Sequence, residues 1–293
     1  LLVTSAAGYA AWSRFGASPA TNTAQQRAGS IDASVDTARF PAAVVTTLPP
    51  ETRLVMNHAR RDVIPAALAG KRFFEDLAPN EVERNTWYDL LNREPDELVW
   101  PGTALSSHRV DPGERRLRVS SEDTALLALG TADFDDYTFQ VDIHQNLWRG
   151  GVGVFFGYHQ AEREGKPCWR YQSISLARIA GPYSKQFPFQ LTRADTVLWL
   201  NDAGRLQSTR TTHCGALIRP LGFQTQQLEI AVNGGRLARV RWSGQELPEL
   251  VSTEVNQHFE PNAYRGKFGT YNGLSDSTFM NARIYVPAGQ QIK

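Results

Sequence analysis

Cysteine is nearly missing from this sequence: Cys168 and Cys214 are the only two in 293 residues. Two thiols cannot build a Cys-rich zinc centre, and the histidines at His58, His108, His144, His159, His213 and His258 form no cluster at ligand spacing, so no structural metal is expected. The thiols either pair in an oxidising compartment or remain small buried side chains, with the second reading favoured. An excess of one charge is missing too. Lys and Arg number 31 against 30 Asp and Glu, and no lysine-rich run occurs, so nucleic acid is not an expected partner. There is no G-x-S-x-G elbow, and neither cysteine carries a nucleophile signature. The glycines of "GGVGVFFG" lie in a strand-like run and open no helix, which excludes a phosphate-cradling dinucleotide loop; no cofactor is expected. Long apolar runs are absent as well. "LLVTSAAGYAAW", from Leu1 to Trp12, falls short of the about 20 residues that cross a bilayer.

That run reads as the trailing end of a transmembrane segment (1–15), with Trp12 and Arg14 at the interface, so the chain is expected to be membrane-anchored. From Gly16 to Ala38 the residues are small and polar and bury too little surface to offset their ordering entropy, which predicts a flexible linker. Residues 39–86 read as an irregular arm with short helical turns broken at Pro65 and Pro79. From Trp87 the pattern changes to period two. "DYTFQVDIHQ" sets Phe139, Val141 and Ile143 on one face and Thr138, Gln140, Asp142 and His144 on the other. "RRLRVSS", "TALLALG", "GVGVFFGYHQ", "WRYQSISLARI", "TVLWL" and "QLEIAVNGGRLARVRW" continue the series, with a hairpin turn at Asn233-Gly234-Gly235. In the closing "TFMNARIYV", strict alternation groups Met280 with Ala282, Ile284 and Val286 against Phe279, Asn281, Arg283 and Tyr285. Many short strands without a long amphipathic helix predict an all-β chain: an antiparallel two-sheet jelly-roll sandwich over 87–287, with a tail at 288–293.

The stretches "WYDLLNREPDELVWPG", "DYTFQVDIHQNLWRGGVGVFFGYHQ", "YQSISLARI" and "GKFGTYNGLSDSTF" resemble concanavalin-A-like lectin and glucanase jelly rolls. More closely, this region is similar to the sandwich domain at the extracytoplasmic end of planctomycete membrane proteins, some of them serine/threonine kinases. That group is related to the 3-keto-disaccharide hydrolases. The resemblance implies the sandwich fold, an extracytoplasmic placement and glycan chemistry.

The residues themselves separate several candidates. Retaining glucanases need two carboxylates about 5–5.5 Å apart on one strand face. The nearest text, "EPDEL", has Glu94 and Asp96 in phase but Glu97 out of phase, and Pro95 argues against an interior strand, so it reads as a surface turn. Asp142 and Glu229 stand alone on separate strands. His144 and His159 flank "QNLWRGG"; hairpin pairing there is one way for them to meet over a metal or a proton, but the favoured reading is that both simply face water. "NGLSDS" around Asp276 reads as an Asx-rich turn rather than a calcium loop. Trp148, Phe156, Tyr158, Trp169 and Tyr171 fall in one neighbourhood. Exposed aromatic rings stack on the flat faces of sugars while amides and guanidinium groups bind hydroxyls, whereas Phe155 and Phe156 read as core. The expected ligand site therefore comprises Gln140, Asp142, His144, Gln145, Asn146, Trp148 and Arg149, with Trp169 and Tyr171 opposite. Its partner would be a glycan or another small ligand.

Three function classes follow: a non-catalytic ligand-binding or sensor module for carbohydrate, a glycoside-acting hydrolase, and a structural or partner-docking spacer. A convergent carboxylate pair in a cleft would favour the hydrolase. Exposed aromatics without one would favour binding.

Overall fold

The computed structural model describes residues 74, 77–100, 103, 105–147, 150–178, 189–218, 224–260 and 262–288. The expected membrane remnant, the linker, most of the arm, and Trp148 and Arg149 lie outside the described residues. No helix among the described residues is long and apolar enough to cross a membrane.

Fifteen strands form two antiparallel sheets. The back sheet contains β1 (Thr86–Asp89), β3 (Ser107–Asp111), β4 (Arg116–Ser120), β6 (Tyr137–Leu147), β11 (Gln226–Asn233), β12 (Arg236–Trp242), β13 (Gln245–Glu246) and β15 (Asp276–Val286). Its order is β13-β12-β11-β6-β15-β4-β3, with β1 joining the far end of β15. The front sheet contains β2 (Asp96–Leu98), β5 (Thr124–Ala132), β7 (Gly151–Arg163), β8 (Lys166–Arg178), β9 (Phe189–Leu200), β10 (Leu206–Ile218) and β14 (Gly266–Gly273). Its order is β10-β9-β8-β7-β14-β5-β2. The chain is thus the jelly-roll sandwich that the period-two pattern predicts.

The inward residues of both sheets make one core. Phe139, Val141 and Ile143 of β6 meet Val152, Val154 and Phe156 of β7 and Phe268 of β14, all at most 2% exposed. Phe139 and Phe156 pack edge to face at 5.7 Å, a preferred aromatic geometry. Phe74 joins this core against Tyr88 and Phe268. The Asn233 hairpin forms as its sequence demands: Gly234 and Gly235 take φ of 57° and 69°, values that glycine adopts without steric cost.

Strict alternation fails in β15. Phe279 is fully buried and Met280 is not, while Ala282, Ile284 and Val286 are buried. Asn281 is the cause. It adopts φ 51°, and the pairing with β6 shifts register between Met280 and Arg283, so one extra residue re-phases the strand. "EPDEL" is also corrected: Asp96–Leu98 is a short edge strand on β5, and Pro95 sits just before it, where a missing N–H does no harm. Glu94 and Glu97 both turn toward His108, at 3.2 and 3.9 Å, and Glu97 accepts the Ser106 N–H at 2.6 Å.

Strands β7 to β10 run 12 or 13 residues, whereas β11 and β12 run 8 and 7. The overhang is covered by a strap from Leu247 to Tyr264, which includes a 3-10 turn (Pro248–Leu250) and α1 (Thr253–Asn256), capped by the Ser252 hydroxyl. Arg193 of β9 pins the strap. At 1% exposure, its Nη1 donates to the Leu250 carbonyl at 2.9 Å and to Asn256 Oδ1 at 2.7 Å. Its guanidinium lies 3.7 Å from the centroid of Phe259.

Candidate functional site

The expected site residues divide between two surfaces. Gln140, Asp142 and His144 do share the outer face of β6, as their parity predicts. Trp169 and Tyr171 do not face them: β8 belongs to the front sheet, so the two groups lie on opposite outer faces of the sandwich. His144 and His159 are separated in the same way, because β6 pairs with β11 and β15 and never with β7. β6 and β7 follow one another in sequence but belong to different sheets, so "QNLWRGG" does not close a hairpin, and the separation of the two histidines agrees with the favoured reading.

On the back sheet the polar groups bind one another. Asp142 accepts from Gln227 at 3.1 Å and from Asn281 at 2.8 Å. Gln140 accepts from Arg283 at 2.7 Å, and that guanidinium lies 4.4 Å from the Trp87 ring. Glu229 sits between Arg239 at 3.0 Å and Arg241 at 3.4 Å. Asn146 donates to Asp276 at 2.8 Å, and Arg118 clasps the same carboxylate, holding it below its ordinary range. Gln145 is the exception: it is in phase with the inward Ile143, opposite the buried Ser277, and its Nε2 has no hydrogen-bond partner among the described residues. Apart from it, this is an ordinary solvated outer face, with its carboxylates committed.

The front sheet is different. Its outer face carries a second apolar cluster of Trp100, Leu126, Ala128, Phe155, Tyr171, Leu198 and Tyr271, with Trp169, Tyr158 and Leu206 half-exposed at its rim. Phe155 therefore belongs to this outer cluster, while Phe156 lies between the sheets, one step along β7. The continuous "TALLALG" run on β5 has the same explanation: Leu127 and Leu129 face the core, and Leu126 and Ala128 face the outer cluster. Arg210 of β10 crosses this face, donating to the Tyr271 hydroxyl of β14 at 3.1 Å and to Ser175 Oγ of β8 at 2.9 Å. Four inter-strand steps separate β10 from β14, about 19 Å on a flat sheet at about 4.8 Å each, beyond the reach of two side chains. The sheet must curl, and this face is its concave side. Ser173 Oγ is fully buried here and has no hydrogen-bond partner among the described residues. Burial also pushes the Tyr171 phenol well up, so it stays protonated.

Sequence reasoning missed a third feature, on the other side of β8. Gln172 pairs in register with Asp195 of β9, and its Nε2 donates to Asp195 Oδ1 at 2.7 Å. Both open into a cleft of about 170 Å3 with His159, Arg170, Phe259 and Glu260. Gly157 shapes the cleft: at φ 62° it bulges β7, and a Cβ there would collide with the Ala263 carbonyl of the strap. His159 Nδ1 lies 2.7 Å from the Gly157 carbonyl, which only accepts, so Nδ1 carries the proton and Nε2 is left as an acceptor. Arg170 Nη1 donates to Glu260 at 3.1 Å. Burial raises the Asp195 carboxyl above its ordinary range; Arg170 and Gln172 pull it down and Glu260 pushes it up. A larger cavity, about 510 Å3, lies where β11 and β12 meet the strap's first turn, but its charged lining groups Asp136, Arg239 and Glu246 already have partners. Among the described residues no group of three or more His, Cys, Asp or Glu could hold a metal ion, and Cys168 and Cys214 are both free thiols.

No family model and no curated protein matches the chain. Solved structures do. The chain is similar to the carbohydrate-binding module CBM66 from Bacillus subtilis at 10% identity, covering 65% of this chain and 96% of that one with a TM-score of 0.40. A protein of unknown function with a galectin-like fold, also from Bacillus subtilis, aligns at 10% identity over 62% of this chain and 89% of its own, with a TM-score of 0.39. A β-porphyranase from Bacteroides plebeius aligns at 10% identity over 71% and 96%, with a TM-score of 0.36. These are lectin-like and glycosidase sandwich domains.

Proposed function

We propose that the chain is a non-catalytic carbohydrate-binding module whose ligand lies on the concave outer face of the front sheet. One observation carries the reading: the two outer faces differ. The back sheet shows self-paired polar groups with one aromatic pair, Trp87 and Tyr285, at its end, whereas the front sheet shows part-exposed Trp169 and Tyr158 beside the buried Tyr171, with Arg210 and serine hydroxyls among them. A surface that mixes flat apolar rings with directional hydrogen-bonding groups suits a ligand that does the same, and a sugar has C–H faces and hydroxyl edges. Trp169 stands in a cross-strand row with Gln160 on one side and Leu198 on the other, and Ser208 pairs beyond Leu198. Against a glycoside-acting hydrolase of the 3-keto-disaccharide hydrolase-like group stands the commitment of Asp142 and Glu229 to other partners.

The same proposal puts the domain on the extracytoplasmic side of a membrane, behind a span ending within 1–15 and the tether at 16–38. The apolar head and small polar linker of the sequence support it, as does the resemblance to planctomycete sandwich domains. Trp169→Ala is the decisive variant. Glycan-array binding should disappear while the protein still folds, the lost packing of a part-buried ring lowering the thermal midpoint by only a few degrees. Unchanged glycan binding in that variant would refute the assignment, and recovery of the intact protein wholly in the soluble fraction would refute the anchoring.

A further inference from the structure

Strand β8 alternates, so it has two working sides. Trp169, Tyr171 and Ser173 face the concave surface, and Arg170 and Gln172 face the cleft beneath the strap. The cleft shares Tyr171 with the proposed glycan face, but its polar groups are its own. Gln172 is 8% exposed, and its Oε1 has no hydrogen-bond partner among the described residues although its Nε2 is fixed to Asp195. A buried amide oxygen left without a partner costs free energy unless something completes it.

Charge decides what that something is. Arg170 contributes one positive charge, Asp195 and Glu260 contribute up to two negative ones, and His159 and His258 lie at the rim. An anion would meet Glu260 and Asp195. A metal would need three ligating groups, which the described residues do not assemble. The volume, about 170 Å3, is well below the about 300–1,000 Å3 of sites for drug-sized ligands. Phe259 supplies apolar lining, its ring packed against Arg193 at 3.7 Å and His213 at 4.7 Å. With Arg170 paired to Glu260, the donors, acceptors and apolar lining of this small volume fit a single uncharged sugar ring.

We propose that this cleft is a second ligand site, binding one neutral pyranose or a polyol of similar size through Gln172, Asp195 and Arg170 against Phe259. Asp195, whose Oδ1 already accepts from Gln172 Nε2, is an acceptor for hydroxyl groups, and Arg170 is a donor to them. The site extends the carbohydrate reading; Tyr171 borders both surfaces, whereas Gln172, Asp195, Arg170 and Phe259 belong to the cleft.

Saturation-transfer NMR on the full chain tests the inference, with D-glucose and D-galactose as probes and D-glucuronate as the anionic control. At least one neutral sugar should receive saturation, and glucuronate should receive less. Gln172→Leu should weaken that sugar by about tenfold or more, the loss expected for a hydrogen bond inside a buried charged network. Glu260→Ala, at an exposed position and safe for folding, should narrow the difference between glucose and glucuronate. Trp169→Ala should leave the signal unchanged, which separates this site from the concave face. Saturation of neither sugar, stronger saturation of glucuronate, or a signal that survives Gln172→Leu would overturn the proposal. A signal lost in Trp169→Ala would also overturn it, since the sugar would then lie on the other side of β8.

Discussion

Replacing Arg193 with methionine tests whether the strap is held by a buried cation. The substitution keeps the length and most of the apolar stem but removes the guanidinium. Two acceptors then lose their donor: the carbonyl of Leu250, a fully buried residue, and Asn256 Oδ1. Each unsatisfied acceptor costs about 1–3 kcal/mol, and loss of the desolvated cation–π contact with Phe259 adds about 2. The gross loss is therefore about 4–8 kcal/mol. Part of it is returned, because a buried guanidinium carries a desolvation penalty of several kcal/mol that methionine does not. That penalty is visible in the direction of its own ionisation, which burial lowers.

The net expectation is a destabilisation of about 2–3 kcal/mol, since the acceptors remain while the charge goes. Urea unfolding of the full chain measures it, and hydrogen exchange shows where it falls. Amides from 250 to 260 should lose protection ahead of those in β6 and β15, because Asn256, which Arg193 orients, also bonds the Leu237 carbonyl of β12 and, within the strap, that of Val251. A change below about 0.5 kcal/mol with unchanged exchange in the strap would refute the reasoning. It would mean that apolar packing of Leu247, Leu250 and Phe259 holds the strap without the arginine.

Three further outcomes follow from single positions. Gly157→Ala should destabilise by about 2 kcal/mol or more in chemical denaturation, since it adds left-handed strain to a clash with the Ala263 carbonyl, and it should weaken any ligand of the cleft. Asn281→Gly should change stability by less than about 1 kcal/mol, whereas Asn281→Val should cost more, because a β-branched residue resists φ 51°; equal effects would show that the lost contact with Asp142, not the backbone, decides. Burial, reinforced by His258 and Arg193, holds His213 below the ordinary imidazole range. The folded state then binds fewer protons than the unfolded chain, so stability is full above about pH 6.5 and falls as pH drops through and below that value; His213→Gln should flatten the slope between urea midpoints at about pH 7.5 and about pH 5.5.

Local pattern made much of the fold legible. Alternation along β6 sorts its core and outer residues without error, and two glycines after Asn233 fix a hairpin because no other residue accepts both positive φ values so readily. The continuous apolar run of β5 also held information about its surroundings: a strand apolar on both sides has both sides covered. What local pattern does not carry is which strand lies beside which. Strands β6 and β8 share a sequence neighbourhood and end in different sheets, so a site assembled from both comes apart in space. The Asn281 bulge escapes for a related reason, since asparagine is compatible with ordinary strand geometry and only the register on β6 and β4 forces it out.

The cleft shows the same limit at its sharpest. Gln172 and Asp195 are 23 positions apart, and each reads alone as an unremarkable polar residue in a strand. Both lie at inward positions, since Ile174 and Leu176 follow Gln172 on the same face of β8 and both are buried in the core. An amide and a carboxyl in phase with a core stripe are a misfit unless the stripe runs out from under the opposite sheet. That is the arrangement here: the front strands outrun β11 and β12, and the last inward positions meet the strap instead of a second sheet. The usable signal in the sequence was therefore the break in the inward stripe. On β8, reading inward from Leu176 to Arg170, the face passes from Leu and Ile to Gln and Arg; on β9, from Leu191, it passes to Arg193 and Asp195. Two adjacent strands whose inward faces turn polar at the same register position mark where a sandwich stops being a core and begins to be a site.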